Sequence, residues 1–444
     1  MIERNKFYFL VFCITFWVLA VGNFIIDEFL PVDEGVREYL NTGANFIFLL
    51  LGIATLRKKS DIFLILSYIL LGAVSSVYND VPSANWLIEL RRYVPVLLTL
   101  PVVRYFFTCQ DSTKFRLSLD KQLKIFLILQ AFCVTWQFIR YGAGDHGGGT
   151  LGNWNSGNIS MCIILLSFYF ISKNWDGDNY LRSLWQNRWY VILMFPVFLN
   201  ETKVSFLLIA IYFILLYPLK IKSIGKAIIA IPFMLIIGVG LIWVYLTATD
   251  SRQDLYSEDF FTKYLTGGSD ANEILDDAQE AADFVEELIN NVDEGEWLFL
   301  DIPRFMKVGF ILPVLDDAKG GVILGAGMGH VADFEHPTQF GKEHIIALFG
   351  TRMMIHYTLL PMGLLGLIWA FFWYKNILAF RTGNNKMAKK VKWFLLFTIL
   401  LTFFYNEFFN VKVGCIVFYI IAFANTYKLV KPASPTSLPH ASET

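Results

Sequence analysis

The first apolar run of the chain, FYFLVFCITFWVLAVGNFII at residues 7–26, decides the class of fold. It is an uncharged run of the length that an α-helix needs to cross a bilayer. Its position also suits a signal peptide, but the run is long and lacks a small-residue cleavage site, so we expect a retained first span. In the whole chain of 444 residues, 55% are hydrophobic and 17% are charged, whereas about a quarter are charged in soluble domains. The sequence therefore predicts an all-α polytopic membrane protein.

Similar apolar runs recur along the chain and predict about twelve transmembrane helices. They lie near residues 7–26, 42–56, 62–79, 86–107, 121–141, 157–173, 188–200, 203–218, 223–248, 345–374, 392–409 and 411–428. Every segment that this order places on the side of the N-terminus is basic, while the first segment on the other side, 27–41, is acidic. Because Lys and Arg collect in cytoplasmic loops, we expect both termini in the cytoplasm.

A long acidic segment divides the predicted spans into two groups. The expected organisation is helices 1–9 in residues 1–248, an acidic outer loop at 249–344, helices 10–12 in 345–430 and a disordered cytoplasmic tail at 431–444. Within the loop, ANEILDDAQEAADFVEELINN at 271–291 has apolar residues at helical spacing. The five cysteines form no CxxC pair. We find no basic face or motif that would indicate nucleic-acid binding.

Charged residues within or beside the spans collect on the outer side of the predicted topology. They are Glu89, Arg91, Arg92, Arg140, Glu201, Lys203, Arg352, His356, Glu407 and Lys412. A single lysine at a helix end often extends to the lipid headgroups, and Glu407 with Lys412 would also suit a structural ion pair. Several cations at one depth, however, favour a polyanionic ligand, and arginine binds phosphate oxygens in a bidentate manner. A lipid diphosphate would fit this arrangement.

Three motifs follow one another in the second part of the chain. The first is GTLGNWN at 149–155, the second is NETKVSF at 200–206, and the third is Arg304 followed by VILGAGMGHV at 322–331. Four histidines come after or at the end of the third motif, namely His330, His336, His344 and His356. We interpret His330 and His336 as loop residues.

In this order the motifs resemble those of the O-antigen polymerase and ligase superfamily, over residues 120–375. These proteins are bacterial inner-membrane glycosyltransferases that act on sugars linked to undecaprenyl diphosphate. The chain differs from the family pattern at Lys203, where the family often has arginine. Both His344 and His356 are candidates for the family histidine, and their spacing does not choose between them.

The resemblance implies a bundle like that of GT-C glycosyltransferases, with both termini cytoplasmic and no metal or cofactor. The implied reaction moves a growing glycan from undecaprenyl diphosphate to a sugar hydroxyl of another lipid-linked repeat unit at the periplasmic face. The implied partners are lipid-linked oligosaccharides, the bilayer and, at the acidic loop, a chain-length regulator. Three other functions stay open, namely an O-antigen ligase of the same superfamily, a flippase or transporter of lipid-linked glycans, and a non-enzymatic membrane scaffold or sensor.

The resemblance also assigns roles to individual residues. The candidate catalytic residues are His344, His356, Glu201 and Arg304. The candidate diphosphate ligands are Lys203, Arg304, Arg352, Arg91 and Arg92. The candidate glycan ligands are Asn153, Trp154 and Asn155, since amides can both donate to and accept from sugar hydroxyls and an indole can stack on a sugar ring.

Overall fold

The fold is seen in a computed structural model, which describes part of the chain. The described residues are 2–30, 34–141, 147–152, 155–175, 180–199, 203–216, 309, 311–332, 337–344, 348, 353–378, 390–391, 393–396, 398 and 414–416. Within these ranges every regular element is helical, which confirms the all-α fold class. The predicted span 223–248, most of the last two spans, most of the acidic loop and the tail lie outside the described residues.

Thirteen α-helices and three 3₁₀ helices are described. The α-helices are α1 (Ile2–Phe29), α2 (Glu34–Thr55), α3 (Lys59–Tyr78), α4 (Ser83–Thr108), α5 (Ser112–Tyr141), α6 (Ser156–Lys173), α7 (Tyr180–Gln186), α8 (Arg188–Ile192), α9 (Lys203–Leu216), α10 (Ile311–Asp317), α11 (Gly321–Leu324), α12 (Gln339–Glu343) and α13 (Leu359–Leu378). The 3₁₀ helices are Gly149–Leu151, Phe195–Phe198 and Met354–Tyr357.

Four of the described helices are long and apolar enough to cross a membrane. They are Glu3–Phe29, Lys59–Tyr78, Ser112–Tyr141 and Ser156–Lys173. They coincide with the first, third, fifth and sixth predicted spans, and α2 and α4 lie where the second and fourth were expected. By their length and composition these helices indicate a membrane protein, whereas the number of twelve spans stays a prediction.

Two predicted spans differ from the structure. Of the span predicted at 188–200, the described residues 188–199 form α8 and the 3₁₀ helix Phe195–Phe198. These elements are too short to cross about 30 Å of hydrocarbon. Pro196 lies at the start of the 3₁₀ helix, and proline lacks the N–H that a continuing α-helix needs. The expected span 345–374 is interrupted, because residues 354–357 form a 3₁₀ turn before α13 starts at Leu359.

The helices pack through a core rich in aromatic side chains. Phe12 of α1 contacts Phe48 of α2 and Phe106 of α4, with ring centroids 6.1 and 5.3 Å apart. All three rings are buried, and each buried aromatic ring removes a large apolar area from its surroundings. The core therefore ties α1, α2 and α4 together.

Helix α13 runs antiparallel to α3, as three hydrogen bonds along their length show. Lys58 Nζ donates to Asn376 Oδ1 at 2.9 Å, and Trp369 Nε1 donates to the Leu64 carbonyl at 2.8 Å. At the other end Ser75 Oγ donates to the Pro361 carbonyl at 2.7 Å. The C-terminal end of α3 and the N-terminal end of α13 therefore meet, and in the predicted topology they do so at the outer side.

Candidate functional site

A glycine-rich ribbon, Gly325–Gly329, lies where α3 and α13 meet. Its three glycines have φ values of 77°, 92° and 103°, and residues with a Cβ rarely adopt such values. The Ala326 and Gly327 amides donate to the Leu360 and Pro361 carbonyls at 2.8 and 3.1 Å. The ribbon thus runs against the backbone at the start of α13, closer than a chain with side chains could approach.

Polar side chains at the end of α3 hold the other edge of the ribbon. Ser76 Oγ accepts from the Met328 amide at 2.9 Å and donates to the Met328 carbonyl at 3.2 Å. Asn79 Nδ2 donates to the Gly325 carbonyl at 2.9 Å. Sequence reasoning missed these partners, although two serines and an asparagine at the end of an apolar helix are an available signal of a docked segment.

A small cavity lies between α4, the ribbon and the turn at residues 354–357. Its polar lining includes Glu89 and Tyr93 of α4, His330 and His356. Its volume is about 30 Å³, which is room for roughly two water molecules. Glu89, His330 and His356 are 2%, 3% and 5% exposed. Burial of an ionisable side chain is costly, and buried ionisable side chains cluster at functional sites. This cavity is therefore the candidate functional site.

His330 is held by hydrogen bonds at both ring nitrogens. Nε2 lies 2.6 Å from the Ala326 carbonyl, so this nitrogen carries the proton. Nδ1 lies 2.7 Å from Thr338 Oγ1, which itself accepts from the Gly341 amide, so the threonine hydroxyl can donate to Nδ1. Burial lowers the pKa of His330 below its usual range, because the protonated ring would lose its hydration. His330 therefore links the ribbon to α12 as a neutral ring.

His356 lies in the 3₁₀ turn Met354–Tyr357, not at the start of a span. The Met353 amide donates to its Nδ1 at 3.3 Å. A neutral imidazole that accepts at Nδ1 carries its proton on Nε2. The adjacent Tyr357 ring packs edge-on against Tyr93 of α4, with centroids 5.0 Å apart, and this contact holds the turn against α4.

The other histidine candidate, His344, does not line the cavity. It caps α12, and its Nε2 lies 3.4 Å from Asp317 Oδ2. Its ring packs on Phe340, with centroids 4.5 Å apart. Of the two histidines that the sequence left open, the structure thus brings His356 to the ribbon and places His344 beside α10.

The predicted diphosphate ligands are only partly described. Arg92 of α4 lies beside the cavity, with Nη1 3.8 Å from Glu89 Oε1, and Arg91 is exposed. Lys203 begins α9, but nothing is described of its side chain. Arg304, Arg352 and Glu201 lie outside the described residues, as do Asn153 and Trp154. Their predicted roles stay predictions.

The GTLGNWN motif is held against α1 and α5 through its main chain. Gln137 of α5 accepts from the Gly149 amide at 2.7 Å and donates to its carbonyl at 3.2 Å. Gln130, about two turns earlier on the same face of α5, accepts from the Thr150 amide at 2.8 Å and donates to the Thr150 hydroxyl. Asn155 Nδ2 donates to the Leu151 carbonyl at 3.2 Å. The amide of Asn155 thus stabilises the loop itself, and its role in glycan binding stays a prediction.

Two ion pairs lie near this loop, at the ends of α1 and α5 and in the first turn of α2. Arg140 Nη1 lies 2.7 Å from Glu28 Oε2, and Arg37 Nη1 lies 3.4 Å from Asp27 Oδ1. The Glu28 side chain is almost completely buried. Arg140, one of the charges that the sequence places on the outer side, is therefore engaged in fixing α1 against α5.

Within the described residues no group of three His, Cys, Asp or Glu side chains could hold a metal ion. The expectation of a metal-independent activity stays a prediction. A comparison of the chain with protein-family models and with curated proteins found no match.

Proposed function

We propose that the protein is a bacterial inner-membrane glycosyltransferase that polymerises oligosaccharide repeat units carried on undecaprenyl diphosphate. The observation that carries the proposal is the cavity beside the glycine ribbon. It joins His356, the Gly325–Gly329 ribbon and the charged part of α4. The first two belong to motifs that resemble those of O-antigen polymerases, and they are separated in the sequence.

The proposed reaction needs positive charge at the leaving group. Negative charge develops on the diphosphate as the glycosidic bond breaks, and fixed donors stabilise it. Arg92 supplies such a charge beside the cavity, and Arg91, Lys203, Arg304 and Arg352 are the further candidates. In this proposal the helices form a GT-C-like bundle whose site opens to the periplasm.

The proposal also gives His356 a role at the reacting centre. Its Nε2–H can donate a hydrogen bond to a sugar oxygen, because Nδ1 is already engaged by Met353. His344 is engaged with Asp317 away from the cavity. We therefore expect His356 to matter for the reaction more than His344 does.

The test is a reaction of the purified protein in nanodiscs with lipid-linked repeat units extracted from the strain that encodes it, without added nucleotide. We expect a ladder of longer lipid-linked glycans, read on a gel. The His356→Ala variant should lose on the order of 100-fold or more in rate, as for a lost transition-state hydrogen-bond donor. The loss in His344→Ala should be at least tenfold smaller, on the order of tenfold or less.

Each alternative outcome is informative. If the wild type forms no ladder, the polymerase proposal is wrong, and transfer to added lipid A-core would indicate the ligase instead. If His344→Ala is the more damaging variant, the function stands but the site is misplaced. The Arg304→Ala and Lys203→Ala variants test the predicted diphosphate ligands in the same assay.

A further inference from the structure

We infer that Glu89 is the catalytic carboxylate that accepts the proton of the acceptor hydroxyl, and that His356 acts in the same cavity as a hydrogen-bond donor. This inference rests on the proposed function and deepens it. The sequence marks Glu89 only as an unusual charge in the fourth span. The structure places it on the cavity lining with 2% of its surface exposed.

The hydrogen bonds of the two histidines exclude them as the proton acceptor in this arrangement. Both ring nitrogens of His330 are engaged, Nε2 by the Ala326 carbonyl and Nδ1 by Thr338. In His356 the nitrogen that has a lone pair, Nδ1, accepts from the Met353 amide. Its other nitrogen carries a proton and can only donate. Each ring would have to give up a hydrogen bond before it could act as a base.

The side chain of Glu89 differs from these imidazoles, because its oxygens accept hydrogen bonds when the carboxylate is ionised. An ionised carboxylate has two oxygens that only accept. Arg92 follows one helical turn later, and its Nη1 lies 3.8 Å from Glu89 Oε1. That distance exceeds the 2.7–2.9 Å of a charge-assisted hydrogen bond, so Arg92 contributes positive charge to the carboxylate without a direct hydrogen bond to Oε1.

The size of the cavity favours a hydroxyl as the group that meets Glu89. About 30 Å³ accepts roughly two water molecules, which is too little for a sugar ring. A sugar bound at the mouth of the cavity could insert one hydroxyl, which has the size of a water molecule. The Gly327 and Gly329 positions on the lining carry no side chain that would block it.

The step balances with the groups named. The acceptor oxygen forms a bond to the anomeric carbon of the donor sugar, and its proton moves to a Glu89 carboxylate oxygen. The bond between the anomeric carbon and the phosphate oxygen breaks, and its electron pair leaves with undecaprenyl diphosphate. The proton on Glu89 then passes to water before the next cycle.

The experiment compares variants in the ladder assay over a range of pH. Glu89→Gln keeps the size of the side chain and removes the base, so we expect kcat to fall about 10²- to 10⁴-fold with KM little changed. The decline of the wild-type rate toward acid should disappear from the residual activity. Glu89→Asp, which keeps a carboxylate, should retain partial activity and the decline toward acid. Glu3→Gln, at the start of α1, is the matched control and should behave as wild type.

His356→Gln separates the two roles, because its amide can still donate from about the position of Nε2. We expect a smaller loss of kcat than in Glu89→Gln, with the decline toward acid retained. If Glu89→Gln keeps the wild-type rate, or if the decline toward acid disappears in His356→Gln and persists in Glu89→Gln, the inference is overturned while the proposed function stands. If Glu89→Gln does not fold, a Glu89→Asp variant without the acid decline overturns it equally. A wild type without a ladder overturns the proposed function, and this inference with it.

Discussion

Replacement of Gly325 by alanine should separate the ribbon from α13. Gly325 has φ 77° and ψ −172°, a conformation that is essentially restricted to glycine. A Cβ at this position would lie 2.5 Å from the backbone nitrogens of Gly363 and Met362. Because these contacts are with backbone, no side-chain rotation can relieve them, and the ribbon and the start of α13 must move apart.

The cost can be worked from the contacts that would be lost. The backbone strain alone is roughly 1–3 kcal/mol. The movement also breaks the hydrogen bonds from the Ala326 and Gly327 amides to the Leu360 and Pro361 carbonyls. Each buried group left without a partner costs about 1–3 kcal/mol. Counting one such cost for each of the two hydrogen bonds, we expect Gly325→Ala to lower the free energy of unfolding by about 3–9 kcal/mol.

The measurement is the melting temperature of the purified protein in detergent, with size-exclusion chromatography as the readout of unfolding. Gly43→Ala is the matched control, because an added Cβ at this glycine within α2 meets nothing within 4 Å. Alanine is the better helix former by about 0.5–1 kcal/mol, so the control should melt at or above the wild-type temperature. If Gly325→Ala melts at the wild-type temperature, our description of a close approach between the ribbon and α13 is wrong.

Two further predictions concern the loop and the buried histidine. Gln137→Leu should lower the free energy of unfolding by about 2–6 kcal/mol, because it leaves the Gly149 amide and carbonyl buried without this partner. Gln122→Leu on the same helix, where the glutamine is only part-buried, should cost less in the same melting assay. For His330, burial lowers the folded-state pKa, so the unfolded state binds the proton more readily and stability is lost as the pH falls below the unfolded value of about 6.5. The wild-type melting temperature should therefore decrease toward acid more steeply than that of His330→Gln, and equal slopes would contradict this assignment.

Local hydropathy was sufficient to predict the helical membrane class and the positions of the first six helices. The helices extend beyond the apolar runs, as when α5 begins at Ser112 while its run begins at 121. The reason is that backbone hydrogen bonding continues into the polar ends, which hydropathy does not register. The same local signal was wrong at 188–200, where Pro196 and the short α8 interrupt a run that is apolar throughout most of its length.

Local hydropathy could not predict which residues form the candidate site. Nothing in the spacing chose between His344 and His356, and Glu89 carried no signal beyond its charge in an apolar run. The GTLGNWN motif suggested sugar binding, while the structure shows that Gln130 and Gln137 hold its main chain.

The sequence by itself thus indicated an apolar, membrane-like environment for the helices, because transfer free energy is a property of individual residues. The need for glycine at residues 325, 327 and 329 became visible only in the structure, where their φ values are positive. Only the tertiary structure decided which ionisable side chains share a cavity and which nitrogen of His356 accepts a hydrogen bond. Those features depend on contacts between α3, α4, the ribbon and the 354–357 turn, whose partners are distant in the chain and are brought together by packing.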